Sequence, residues 1–206
     1  VRPGQVYRAF AFDVAHNVRC RIFRRYRDHH VHMIGHQMPL LNPAFLVLCQ
    51  PTKHLAEMFR VVGRLGGSPA VQLAVWFHDA VYDPRATDNE ERSADFAVEC
   101  GIPDIDPVRS LILATKHTGN EIVDDATAIL LDADLAILGA SEERYRRYAA
   151  DIRREYDFVA DAAYVVGRMR VLEAFLGRER IYRTTWMHEE GEAAARRNIS
   201  AEMGEL

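Results

Sequence analysis

The chain has 206 residues, of which 49% are hydrophobic and 27% are charged, and its formal net charge is −4. This composition is typical of a soluble globular protein with one substantial core, and the acidic balance argues against binding to nucleic acid or to a membrane surface. Three cysteines without CxxC spacing do not form a disulfide framework, no apolar run reaches the length of a membrane span, and the N-terminus has no signal-peptide core. We therefore expect a cytoplasmic protein with no nucleic-acid partner and no membrane partner.

The first 51 residues differ in character from the rest. Seven arginines and two aspartates give residues 1–50 a net charge of +5, which leaves −9 for the remainder of the chain. The tract Asp28–His36 holds four of the nine histidines, but it has no separated partner ligands that would complete a metal site. We interpret residues 1–51 as an atypical basic, histidine-rich N-terminal segment.

From residue 52 onward the sequence contains start and stop signals for a series of helices. Thr52 can cap a first helix that ends at Gly66-Gly67, and Ser68-Pro69 provides the cap and first-turn proline of the next. That second helix, roughly 70–81, is apolar almost all round, so we expect it to be the central buried helix. The residues 82–88 have the composition of a loop.

Helical patterns continue to the end of the chain, without a Val/Ile/Thr alternation long enough for a sheet. The helix that starts at Ser141 is amphipathic and rich in tyrosine, and it could serve a homodimer contact. The pattern predicts an all-α, single-domain helical bundle over residues 52–206. Its later helices are predicted at Asn89–Cys100, from Asp106-Pro107 to near His117, at Glu121–Leu138, from Ser141 onward, at Tyr164–Leu176 and at His188–Met203.

A His-Asp doublet, His78-Asp79, closes the apolar run of the second helix. His54 precedes it by 24 residues, and Asp132 and Asp134 follow it by more than 50. Taken alone, His54 is typical of a half-buried surface histidine, and an ion pair could satisfy a buried aspartate. Burying carboxylates among apolar residues is costly, however, and a cation removes that cost more completely. Imidazole and carboxylate donors suit Mn, Fe, Co, Ni, Zn or Mg, so we expect a divalent metal ion.

Asp132 and Asp134 are alternative candidates for the last metal ligand. Residues two apart on a helix point about 160° away from each other, so only one of Asp132 and Asp134 should bind the metal. The other is expected to orient a ligand histidine.

Four polar residues could act beside such a metal. Lys116 and His117 lie at a predicted helix end, where a cation or an imidazole could meet a phosphate, although a cation there can equally complement the helix dipole. Asp83 and Glu90 are candidates for a general acid or for positioning water.

In their order along the chain, His54, the run WFHDAVY at Trp76–Tyr82 and the run LDADLAILG at Leu131–Gly139 resemble the HD superfamily of metal-dependent phosphohydrolases. The resemblance is closer to a small bacterial branch of predicted HD-domain hydrolases, and it covers about residues 52–203. Supporting segments are DNEERSA at 88–94, ATKH at 114–117, IRREY at 152–156 and EAAARRN at 192–198.

The resemblance implies an all-α HD domain whose metal is held by His54, His78, Asp79 and one late aspartate. In related enzymes that aspartate follows an alanine, which favours Asp134 and keeps Asp132 as the alternative. One departure concerns the Tyr-His-Asn run that usually precedes the first ligand, since Cys49-Gln-Pro51 occupies its place here. If the missing histidine contacts substrate or metal in relatives, this departure puts activity in doubt.

The leading hypothesis is a metal-dependent phosphohydrolase that acts on a phosphomonoester or nucleotide-type substrate through a metal-activated water. The first alternative is a catalytically weak or inactive HD-fold module that binds a nucleotide or a metal. The second is a di-iron HD-type oxygenase, for which His117, Asp83 and Glu90 are the available additional ligands.

Overall fold

The computed structural model describes residues 52–102, 104–117 and 124–206. The predicted N-terminal segment, its histidine-rich tract and the departure at Cys49–Pro51 lie outside these described residues, as does the predicted start of a helix at Glu121. The division into a segment 1–51 and a domain 52–206 therefore stays a prediction.

The described residues form eight α-helices and one 3-10 helix, and they contain no strand, which confirms the predicted all-α fold. In chain order the elements are α1 Thr52–Leu65, α2 Pro69–Phe77, α3 Asn89–Glu99, α4 Ile105–Ala114, α5 Asp125–Asp134, the 3-10 helix Leu135–Gly139, α6 Glu142–Glu155, α7 Asp161–Leu176 and α8 Thr185–Glu205.

These elements belong to two compact units. Among the described residues, the first unit contains 52–56 and 67–117, and the second contains 57–66 and 124–206. Helix α1 thus contributes its first residues to one unit and the rest to the other.

In the first unit, α2 packs against α3 and α4. Its apolar residues Val71, Ala74, Val75 and Phe77 are buried, as the nearly all-round apolar pattern predicts. The Ser68 side chain accepts a hydrogen bond from the Val71 N–H at 3.4 Å, so the predicted cap at the start of this helix is confirmed.

The prediction that α2 runs to residue 81 is wrong. The helix ends at Phe77, and His78 and Asp79 lie in the turn that follows. The chain leaves the helix because Ser93, a buried residue of α3, takes over the backbone of Val81: its hydroxyl accepts from the Val81 N–H at 3.0 Å and donates to the Val81 carbonyl at 3.1 Å. These bonds replace the ones that another helical turn would make.

In the second unit, α8 packs against the 3-10 helix, α6 and α7. The buried Tyr182 lies against two glycines, since a Cβ added at Gly139 would lie 2.8 Å from the Tyr182 hydroxyl and one added at Gly191 would lie 2.9 Å from its ring. In the described part of the predicted helix from Glu121 to Leu138, residues Asp125–Asp134 are α-helical, and the chain then tightens into the 3-10 helix. Asp134 is therefore the last residue of an α-helix.

Candidate metal centre

His78 has one ring nitrogen assigned by its surroundings. Its side chain is 2% exposed, and Nδ1 lies 3.0 Å from the carbonyl oxygen of Val75, one turn back in α2. A carbonyl can only accept a hydrogen bond, so Nδ1 carries a proton and donates it. In the neutral ring, Nε2 then has the lone pair. This tautomer, fixed by a backbone carbonyl, is the arrangement that orients histidines toward metals.

Asp79 lies beside that second nitrogen. Its Oδ2 atom is 3.3 Å from Nε2 of His78, and its side chain is 53% exposed. The expectation that Asp79 is a buried carboxylate is therefore wrong, because α2 ends before the residue and leaves it at the surface. A lone pair and a carboxylate oxygen at this distance repel each other unless a cation or a proton lies between them. Among the described residues, however, Asp79 is not part of the group that could hold a metal ion.

His54 lies beside His78 in the first unit. The rings of His54 and His78 have centroids 5.5 Å apart and are tilted by 56°. One ligand atom from each of His54, His78 and Asp134 lies within 4.8 Å of the others, and this group could hold a metal ion. His78 is buried, whereas His54 and Asp134 are partly exposed. Each comes from the end region of a helix or the turn after it.

The donor set fits a divalent metal of the predicted kind. Bonds from such ions to nitrogen and oxygen are about 2.0–2.2 Å long, so two ligand atoms of one ion lie at most about 4.4 Å apart. The observed limit of 4.8 Å exceeds this by a few tenths of an ångström, which side-chain rotation can close. Two imidazoles and a carboxylate suit Mn, Fe, Co, Ni or Zn and do not choose among them.

Asp132 is committed to a different set of contacts. It is 0% exposed, and its carboxylate accepts hydrogen bonds from the Arg183 N–H at 2.8 Å, the Thr184 N–H at 2.7 Å and the Thr184 hydroxyl at 2.7 Å. Burial raises the pKa of Asp132, and these hydrogen bonds oppose that rise. The two aspartates therefore diverge as the helical geometry predicts, and among the described residues only Asp134 of the two belongs to the group that could hold a metal ion.

The predicted phosphate-binding cation, Lys116, is engaged elsewhere. Its Nζ atom donates to Glu91 Oε1 at 2.5 Å and to the Thr87 carbonyl at 3.4 Å. This hydrogen bond lowers the pKa of Glu91 and raises that of Lys116. His117 follows directly, in the left-handed backbone region with φ of 51°.

Asp83 organises the loop between α2 and α3. Its N–H donates to Asn89 Oδ1 and its carbonyl accepts from Asn89 Nδ2, both at 2.9 Å, and its Oδ1 accepts from the Arg85 N–H at 2.9 Å. Glu90 is partly exposed in the first turn of α3. Among the described residues, neither Asp83 nor Glu90 belongs to the His54–His78–Asp134 group.

The sequence did not predict two groups that hold His78 and Asp132 in place, the Val75 carbonyl and Thr184. The Val75 carbonyl leaves no sequence signal, since any residue could provide it. Thr184 had one: it is the cap of α8, and its hydroxyl accepts from the Met187 N–H at 3.3 Å. The prediction started that helix at His188 and so overlooked it.

The second unit also contains a cavity of about 400 Å³ between α6, α7 and α8. Its walls carry charges that already pair with one another, for example Arg146 with Glu142 at 3.0 Å and Arg153 with Asp161 at 2.5 Å. None of the sequence-predicted site residues lines it.

None of the protein-family models, curated proteins or solved structures compared with this chain matches it. Within the part of the chain that the structure describes, every helix is too short or too polar to cross a membrane.

Proposed function

We propose that this chain is a metal-dependent phosphohydrolase of the HD type, acting on a phosphomonoester or nucleotide-type substrate. The observation that carries the proposal is the grouping of His54, His78 and Asp134, residues far apart in sequence, with Asp79 beside His78. The residues that support it are those that carry the sequence resemblance. A cytoplasmic location, a small phosphorylated substrate and a homodimer belong to the same proposal.

A divalent ion in such a site supplies two things: it lowers the pKa of a bound water, and it polarises the phosphoryl oxygen. The protein's part is to orient and to handle protons. The Val75 carbonyl holds the Nδ1 proton of His78 and thereby aims Nε2. Asp79, half exposed, lies where a substrate arriving from solvent can reach it. Asp83 and Glu90, both partly exposed, are the proposed proton donors or acceptors.

A second candidate, a module that binds a nucleotide or a metal without turnover, is favoured by one observation. The Lys116 ammonium is already neutralised by Glu91, so it is not presented as a free charge for a developing phosphate anion. Under the hydrolase proposal, substrate must draw Lys116 away from Glu91. The di-iron oxygenase needs more ligands than the three that the described residues group together.

The test compares the wild-type chain with His78→Gln and with His188→Gln. His188 is a partly buried histidine of α8 that lies outside the group, so its variant controls for loss of a histidine. Metal content is measured by mass spectrometry after reconstitution with Mn, Co, Ni, Zn or Fe. Phosphomonoesters, phosphodiesters and nucleotides are then screened for hydrolysis with each metal.

We expect about one metal ion per chain in wild type and in His188→Gln, and none in His78→Gln. Hydrolysis should be seen only in the proteins that bind metal. Metal binding without hydrolysis of any of these compounds would support the binding module instead. A wild-type chain that takes up no metal would contradict the hydrolase proposal and would leave nucleotide binding as the only form of the second candidate.

A further inference from the structure

The buried carboxylate of Asp132 joins helix α5 to the start of helix α8. It accepts three hydrogen bonds, two from Thr184 and one from Arg183, all between 2.7 and 2.8 Å. The Thr184 hydroxyl donates to Asp132 and at the same time accepts from the Met187 N–H. A hydroxyl has one proton to donate, and here that proton is committed to the carboxylate. One side chain therefore both caps α8 and fastens it to α5.

The residues after Asp134 are fastened to the same part of the chain. The Tyr182 hydroxyl donates to the Leu135 carbonyl at 3.1 Å. The Asn198 amide of α8 donates to the carbonyls of Leu138 at 2.8 Å and Ala140 at 2.9 Å. Asp134 thus lies between two stretches that are hydrogen-bonded to α8 or to the residues just before it, and these bonds restrain its backbone.

Metal sites demand such fixed positions, because ligands displaced by more than about 0.5 Å no longer share one ion well. Removing a residue that orients a metal ligand typically weakens metal binding by about 10–100-fold. Asp132 is two residues from Asp134 and is not part of the group that could hold a metal ion, yet it is the more completely buried of the two.

We propose that Thr184 and Asp132 are positioning residues for the metal centre. Their contact sets where Asp134 presents its carboxylate, and so it sets the affinity for a divalent metal. This inference rests on the metal centre of the proposed function, but it does not require that the protein hydrolyse anything.

The experiment measures Co²⁺ binding to the full chain by titration, following the visible absorption of the bound ion and its dissociation constant. Thr184→Val keeps the shape of the side chain and removes the hydroxyl, and Thr184→Ser restores the hydroxyl. Asp124→Ala is the matched control: Asp124 caps the opposite end of α5 through the Thr127 N–H at 2.8 Å, so its loss also removes a helix cap in the same unit. Circular dichroism and thermal unfolding accompany each variant.

We expect Thr184→Val to weaken Co²⁺ binding by about 10–100-fold and to change the absorption spectrum of the bound ion. Thr184→Ser and Asp124→Ala should bind as the wild type does. If Thr184→Val does not fold, Thr184→Ala makes the same comparison with less crowding.

The inference is overturned if Thr184→Val loses thermal stability as Asp124→Ala does but keeps the wild-type affinity and spectrum, because Thr184 would then be a helix cap only. A wild-type chain that binds no Co²⁺ or other divalent ion overturns the metal centre itself and this inference with it. The two failures are therefore distinguished by the wild-type titration alone.

Discussion

Nε2 of His78 and Oδ2 of Asp79 lie 3.3 Å apart, although the other nitrogen of the same ring already holds its proton against a backbone carbonyl. With a neutral ring, two electron-rich atoms face each other. A cation between these two atoms would relieve their repulsion.

Replacing Asp79 by asparagine should weaken metal binding by at least about tenfold, because it removes the negative charge beside Nε2 while keeping the shape of the side chain. The measurement is a competition titration with a coloured chelator. Asp95→Asn is the control, since Asp95 is another exposed aspartate of the first unit, paired with Arg109 at 3.6 Å. Equal affinities for the two variants would exclude Asp79 from the site.

Removing one partner of the ion pair between Arg168 and Glu202 should strongly destabilise the second unit. The side chains are 9% and 8% exposed, Arg168 Nε lies 2.7 Å from Glu202 Oε1, and the Tyr145 hydroxyl donates to Oε2 at 2.6 Å. Glu202→Gln should lower the free energy of unfolding by about 3–5 kcal/mol, because it leaves a buried guanidinium without its counter-charge.

Urea unfolding at neutral pH checks this value. The companion variant is Glu142→Gln, which removes an exposed carboxylate paired with Arg146 at 3.0 Å and should cost less than about 1 kcal/mol. Similar losses in the two variants would mean that burial does not strengthen the dependence on the pair.

Two glycines should respond in opposite directions to alanine. A Cβ at Gly139 would lie 2.8 Å from the Tyr182 hydroxyl and 3.0 Å from the Gly191 carbonyl oxygen, and the backbone oxygen cannot move aside easily. Gly139→Ala should therefore destabilise by about 1–3 kcal/mol. Gly167, in α7, has open space around the added atom, so Gly167→Ala should stabilise by about 0.4–1 kcal/mol. Denaturant unfolding of both variants measures these changes. If Gly139→Ala also stabilised the protein, the segment around Gly139 would have to shift to make room for the added methyl group.

The cap of α5 should depend on pH. The Thr127 N–H donates to the Asp124 carboxylate, and this hydrogen bond lowers the pKa of Asp124 below the unfolded value of about 3.9. A carboxyl whose pKa is lowered by folding stabilises the fold above the unfolded pKa, and that contribution is lost as the pH falls through the folded pKa. Asp124→Asn, which also caps but carries no charge, should be less stable than wild type by about 0.3–1 kcal/mol at pH 7.

That difference should shrink as the pH is lowered from 7 through the folded pKa of Asp124, because the wild-type carboxyl is then protonated as well. Urea unfolding of wild type and Asp124→Asn across this range measures it. A gap that stays constant with pH would contradict an ionised cap.

Local signals in the sequence predicted much of the fold. Ser68 caps α2, and Gly66, with φ of 74°, follows the last residue of α1. The end of α2 could not be predicted, because Ala80 and Val81 continue the apolar pattern after His78-Asp79 and no glycine or proline marks a stop before Pro84. The Val81 backbone is instead bonded by Ser93, twelve residues later. That end decides the exposure of Asp79.

The site was predicted as a set of residue types rather than as a geometry. Helical periodicity indicated that Asp132 and Asp134 diverge, but it could not say which of them turns toward the histidines. The partner that occupies Asp132 is Thr184, 52 residues later, and such a long-range contact has no local signature. Lys116 likewise forms an ion pair with Glu91 of α3, a contact between residues far apart in sequence.

The assignment of helix α1 to both units has a consequence for synthesis on the ribosome. Residues 57–66 belong with 124–206, while the stretches on either side of them belong to the first unit. A nascent chain that has emerged only as far as residue 117 therefore still lacks the partners of Met58, Val61 and Val62, which are buried in the finished protein. The burial of these apolar side chains therefore has to wait for the C-terminal helices, and an incomplete chain is more prone to aggregate for that time.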